Sequence, residues 1–194
     1  MQKERITDMS KKHDAILAIN GDASGFTNSN IGAADFMIKN GIPAYDYKKT
    51  NNNNQYIGCH MQNGSFKVFN SNQFNNNQEL LNIGIKNTFY FYTYLVKDGV
   101  MNEKCSKNGL APRTMIGQKA DGTWLFVVVD GRGCNNSVGM TLDETAKLMK
   151  SLDAYNAVEL DGEGSSTMVF NGFMLNKSSD GCERPISDCI FIKR

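Results

Sequence analysis

The chain has 194 residues, 40% hydrophobic and 21% charged, enough for one globular domain that buries roughly 70% of its unfolded surface. Lysines and arginines number 21 against 20 carboxylates, a net charge of +1, which gives no broad field for nucleic acid or an anionic membrane, so any anion site must be local. No apolar run reaches the roughly 20 residues of a membrane span, and five cysteines without CxxC spacing do not indicate a disulfide framework or zinc site.

In chain order, "MQKERITDMSKK" is too polar for a secretory signal, which predicts a cytoplasmic chain as written, or an exported one if a parent has been trimmed. "ERITDMSKKH" predicts a short polar helix, and "AILAIN" (Ala15 to Asn20) a buried strand that runs into the loop "GDASGFTNSN". Hairpins are predicted about Asn40-Gly41 and Asn63-Gly64, dipeptides that accept positive φ, so the middle of the chain reads as a β meander. The asparagine runs "KKTNNNNQ" and "NSNQFNNNQ" read as solvated loops.

"ELLNIG" predicts one or two helical turns closed by glycine, and "TFYFYTYLV" one aromatic strand ending at Lys97-Asp98-Gly99. "TMIGQKADGTWLFVVVD" predicts strand, Asp121-Gly122 turn, strand, with Asp130 at its far end. Thr141 and Glu144 form a T-x-x-E capping box, ahead of a helical stripe of Leu142, Thr145, Ala146, Met149 and Leu152. The strand "NAVEL" then enters "LDGEGSST", followed by a hairpin about Asn171-Gly172 and a closing strand in "ISDCIFIKR". No repeat or linker divides the chain, which predicts a single domain over 1–194.

A glycine-rich loop after a strand suggests a phosphate cradle. P-loops and dinucleotide fingerprints, however, need a helix after the glycines, and here a strand is predicted. The two histidines, His13 and His60, lie in unrelated contexts, and G-x-S-x-G is absent, which disfavours metal-assisted cleavage and a Ser/His/Asp triad. What remains is a set of charged groups at strand ends, each beside glycine or proline: Asp22, Arg113, Asp130, Arg132, Asp161, Glu163, Glu183 and Arg184. Asp-Gly is first a turn signal, but the recurrence at strand ends points to paired carboxylates of the kind used in glycosyl transfer. Arginines with backbone amides supply a phosphate site.

The segments "AINGD", "NGIP", "LVKDG", "PRTMIGQKADGTWLFVVVDGRG", "SVGMTLDETAKLMKSLDAYNAVELDGEGSSTMVFNG" and "SSDGCERPISD" resemble, in this order, the phosphodiester glycosidase family. The resemblance runs from about Lys11 to the C-terminus. It implies an α/β (α+β) domain of mixed β-sheets with flanking helices, and hydrolysis between a sugar's anomeric carbon and a phosphodiester oxygen. On that basis Asp161 and Asp130 are candidates for charge stabilisation and Glu183 for acid/base work. Asn20 and Asp22 would line the pocket, and Arg113, Thr114, Arg132, Gly162, Glu163, Gly164, Ser165, Ser166, Thr167 and Arg184 would contact phosphate or substrate. The partner expected is a small sugar phosphodiester or nucleotide; no cofactor or metal ligand is assigned.

Three features depart from the family pattern. Glu163 stands where members usually have glycine, Tyr92 and Tyr94 replace a usual glycine-proline, and a minimal N-terminus is expected, since members generally carry further strands upstream of the helix before "AILAIN". The first leaves open a non-catalytic protein that sequesters a phosphorylated sugar or nucleotide, and the second offers rings for stacking on a base or sugar.

Overall fold

A computed structural model describes residues 3–21, 36–43, 56–89 and 93–194. Asp22, the rest of the loop "GDASGFTNSN" after Gly21, the run "KKTNNNNQ" and Tyr92 lie outside the described residues. The helices are α1 (Ile6–Lys12), α2 (Asn77–Asn82) and α3 (Leu142–Ser151). The strands begin with β1 (Ala15–Asn20), β2 (Ile38–Lys39), β3 (Ile42–Pro43), β4 (Tyr56–Met61), β5 (Phe66–Asn70), β6 (Ile85–Phe89) and β7 (Tyr94–Lys97). They continue with β8 (Val100–Met101), β9 (Arg113–Lys119), β10 (Trp124–Val129), β11 (Ala154–Glu159), β12 (Met168–Phe170), β13 (Phe173–Met174) and β14 (Cys189–Lys193).

Among the described residues the strands form sheets of order β13-β12-β1-β14, β10-β9-β11-β7-β8 and β5-β4-β6, plus the hairpin β2-β3. The α+β class with several sheets and flanking helices is therefore as expected, and the strand pairings are antiparallel. The turn chemistry acts where expected: Asn40 and Gly41 have φ of 54° and 77°, and Asn171 and Gly172 have 49° and 82°, the left-handed pair that matches strand twist in a two-residue hairpin. The capping box is present, with Glu144 N donating to Thr141 Oγ1 at 3.2 Å and Thr141 N donating to Glu144 Oε2 at 2.8 Å.

Three local expectations are corrected. The middle sheet is not a meander, because β6 returns to the other edge of β4 instead of pairing with β5. The aromatic stretch "TFYFYTYLV" is not one strand: β6 belongs to the three-stranded sheet and β7 to the five-stranded one. "NSNQFNNNQ" is ordered by its asparagines. Asn70 caps a single 3-10 turn at Ser71–Gln73, and Asn76 accepts from Glu79 N to cap α2, because a short amide side chain reaches the free N–H groups of a helix start.

The main core lies where the three larger sheets meet. Ile19 of β1, Phe66 and Val68 of β5, Phe89 of β6, Ile116 of β9 and Val158 of β11 pack in one cluster with Leu160. α3 covers the other face of the five-stranded sheet through Ala146 and Met149, and α1 covers the four-stranded sheet through Ile6 and Met9 against Ala18 and Val169. A Cβ at Gly117 would stand 2.8 Å from Asn156 O and from the Met149 side chain, so glycine lets β9 lie close under α3. This packing fixes the ends of β1, β9 and β11 beside one another.

Candidate functional site

The strand ends meet at Asn20. Its fully buried amide donates to Asp161 O at 2.6 Å and accepts from Thr114 Oγ1 at 2.8 Å and Thr167 N at 3.1 Å. Asp161 N donates in turn to Gly21 O, and Leu160 N to Thr114 O. Asn20 and Thr114, expected to contact substrate, thus pin β1 and β9 to the two ends of the glycine loop. A buried side chain holding three elements through satisfied bonds fixes their geometry.

Arg113 points behind the loop. Its Nη1 donates to Glu159 Oε1 at 2.8 Å, its Nε to Met140 O at 2.8 Å and its Nη2 to Gly109 O at 2.6 Å. The Glu159 side chain is 0% exposed and that of Arg113 11%. Glu159 Oε2 has no hydrogen-bond partner among the described residues. Burial pushes the Glu159 carboxyl from 4.5 up to about 7; Arg113 opposes the rise and the charge of Asp161 adds to it. Sequence reasoning passed over Glu159, yet a charge inside "NAVEL", two residues before Asp161 and so on the same side of the strand, was the signal available.

This shift predicts a pH dependence. Folding raises the proton affinity of Glu159, so its contribution to stability is complete below pH 4.5 and is lost as pH rises through about 7. The loss should be about 3 kcal/mol. Asp121 and Glu144, held below their usual range by hydrogen bonds from Thr123 and Thr141, act in the opposite sense at lower pH. Urea midpoints between pH 5 and 8 should fall for the parent, and Glu159→Gln should flatten that fall.

The loop itself makes one 3-10 turn at Glu163–Ser165 and then enters β12. Its amides are largely committed: Glu163 N to Pro112 O, Ser165 N to Gly162 O, Ser166 N to Glu163 O and Thr167 N to Asn20. Gly162 N and Gly164 N are left without a protein acceptor among the described residues, as is the buried Ser166 Oγ. The expected cradle is therefore narrower than the motif suggested. Glu163 has φ of 57°, a left-handed backbone that glycine adopts at no steric cost. Its exposed side chain pairs with Arg132 at 2.7 Å.

The roof comes from residues 176–184. Arg184 pairs with Asp180 at 2.7 Å and donates to Ser165 Oγ at 3.3 Å. A Cβ at Gly164 would collide with both members of that pair. Asp130 accepts from Asn135 Nδ2 at 2.7 Å, Lys177 N at 3.1 Å and Asn176 Nδ2 at 3.4 Å, so it braces the roof. Glu183 is turned towards α1, where its two oxygens take Thr7 N at 2.9 Å and Thr7 Oγ1 at 2.6 Å. That capping contact is where the structure places the residue expected to do acid/base work. Each arginine expected on phosphate is likewise already paired with a carboxylate.

A family model described as phosphodiester glycosidase matches residues 13–193. The chain belongs to the phosphodiester glycosidase family. It is 33% identical over 195 residues to the SPbeta prophage-derived uncharacterized protein YomE of Bacillus subtilis, covering 98% of this chain and 30% of that protein. It is also 33% identical over 82 residues to N-acetylglucosamine-1-phosphodiester alpha-N-acetylglucosaminidase of Mus musculus, covering 42% of this chain and 16% of the mouse protein. The chain thus spans under a third of these curated relatives.

The fold resembles the catalytic domain of the zebrafish N-acetylglucosamine-1-phosphodiester alpha-N-acetylglucosaminidase, auto-inhibited by its pro-peptide, with a TM-score of 0.79 and 21% identity over 100% of this chain and 68% of that one. A putative exported protein from Burkholderia pseudomallei has the same fold, with a TM-score of 0.63 and 15% identity over 100% of this chain and 68% of that one. No described helix is long and apolar enough to cross a membrane.

Proposed function

We propose that this chain hydrolyses the bond between a sugar's anomeric carbon and a phosphodiester oxygen. The observation that carries this reading is Asp161, held half-buried at the junction of β1, β9 and the glycine loop by Asn20, in a chain matched to the family over residues 13–193. Water adds its oxygen to the anomeric carbon, the C–O bond to phosphate breaks with its electron pair leaving on phosphate oxygen, and the water's proton is released. The products are a free sugar and a phosphate monoester. Such a monoester has a second pKa near 6, so departure needs little proton assistance. Charge stabilisation at the anomeric carbon is the larger task.

In this reading Asp161 supplies the negative charge, Gly162 N and Gly164 N supply donors, and Arg113 with Glu159 holds the strand ends from behind. Incubation with a sugar-1-phosphodiester followed by mass spectrometry should yield free sugar and phosphate monoester. Intact substrate together with a raised melting temperature would instead support a sequestering protein.

Glu163→Gly tests the departure from the family loop. The variant should keep its stability to within about 1 kcal/mol, because relief of left-handed strain offsets loss of an exposed ion pair. Release of Arg132 should lower KM for the phosphodiester, read from initial rates; a raised KM would make the Glu163 carboxylate a substrate contact.

A further inference from the structure

One cavity lies away from the glycine loop. A cleft of about 780 Å³ opens between the outer edges of β10 and β14 and is closed at one side by β6, a volume within the usual range of small-molecule sites. Trp124, Phe126 and Phe89 provide ring surface, and Lys86 and Lys193 stand on its lining. Neither lysine forms an ion pair among the described residues, in contrast to Arg113, Arg132 and Arg184. His60 accompanies them, bonded to Asn87 at 3.2 Å and edge-on to Trp124 at 5.3 Å. Burial and the nearby Lys86 charge lower its pKa, so near neutrality it offers an uncharged ring.

The cleft also connects with the loop. Asp188, on its lining, accepts from Gly21 N through its backbone carbonyl, and Gly21 O accepts from Asp161 N. Gly21 therefore ties the backbone of the cleft's wall at Asp188 to the backbone of Asp161. The aglycone half of a substrate bound at Asp161 needs space and positive charge, and among the described residues the cleft offers both.

We propose that this cleft is the aglycone site and takes a nucleotide-class phosphate ester, with the base against Trp124 and Phe126 and the anion towards Lys86 and Lys193. Flat aromatic walls favour a planar π system over a lone sugar phosphate, since base–aromatic stacking is sequence-tolerant and strong, and an ammonium at the margin suits a phosphate. As an aglycone site it rests on the hydrolase reading; as a binding site it stands without it.

Trp124 is the chain's one tryptophan, so its fluorescence reports this cleft directly. The full chain should be titrated with adenosine monophosphate, adenosine, ribose 5-phosphate and inorganic phosphate. Saturable quenching by the monophosphate is expected, with adenosine and ribose 5-phosphate each about tenfold weaker. Lys86→Ala and Lys193→Ala, both at exposed positions, should each raise its Kd several-fold, while Lys107→Ala, exposed and outside the cleft's lining, leaves it within about twofold. No saturable change at millimolar ligand, lysine variants that bind like the parent, or ribose 5-phosphate binding as tightly as the nucleotide would each overturn the proposal. Quenching without turnover of any phosphodiester removes the hydrolase reading and keeps the nucleotide site; turnover without quenching does the reverse.

Discussion

Arg113→Ala should lower the stability of the chain by about 3–5 kcal/mol at pH 8. Among the described residues the guanidinium is the one partner of a carboxylate that is 0% exposed, and it also holds Met140 O and Gly109 O. Removing it leaves a charge in the core with neither water nor counter-ion, which is much worse than never having placed a charge there. The deficit should shrink at pH 5. Arg113 is what opposes protonation of Glu159, and with it gone the carboxyl rises further above about 7 and is neutral at the lower pH.

The double variant Arg113→Met with Glu159→Leu distinguishes this account from simple loss of packing. Met140 O still accepts from Ala111 N, and Gly109 is exposed to water, so neither carbonyl is abandoned in the core. The double variant should recover to within about 2 kcal/mol of the parent, measured by urea denaturation at both pH values. If it is no more stable than Arg113→Ala, the cost lies in side-chain volume, and the charge pair is not what makes this position sensitive.

What could be read from the sequence was local. Asn40-Gly41 and Asn171-Gly172 specify their hairpins because the required φ belongs to those residues alone, and Thr141 with Glu144 specifies the start of α3 through bonds three residues apart. Where a decision depends on distant partners, the same reading fails. Phe89 and Tyr94 look alike as members of one aromatic run, but they belong to sheets whose order is set by β4 and β11.

The candidate site divides in the same way. Asp161 and its loop stand out as a strand running into glycines. That Arg113 faces Glu159, that Arg132 faces Glu163, and that Glu183 faces Thr7 could not be inferred, because charged groups at strand ends are compatible with many pairings until the ends are brought together. Asn20 illustrates the limit: it reads as a polar residue at a strand terminus, and only the convergence of β1, β9 and the loop makes it a buried pin. The cleft was hidden for the same reason, since Trp124 and Phe191 line one space only when two sheets bring their outer edges together.

Asp161→Asn should reduce turnover of a sugar phosphodiester by about 10²–10⁴-fold with little change in KM. The substitution keeps the side chain's size and the backbone bonds of Asp161 to Gly21 and Asn20, so the loop should hold its shape, and the missing element is negative charge near a centre that becomes positive as the C–O bond breaks. A second readout belongs to this residue alone. The Asp161 charge is one of the causes that raise Glu159, so its removal should move the pH-dependent fall in stability to lower pH and reduce its size. Loss of turnover with an unshifted stability profile would mean that the asparagine has rearranged the loop. A shifted profile with near-normal turnover would leave Asp161 as an electrostatic neighbour of Glu159 and remove it from the reaction. Both changes together are what a folded site that has lost its acting charge requires.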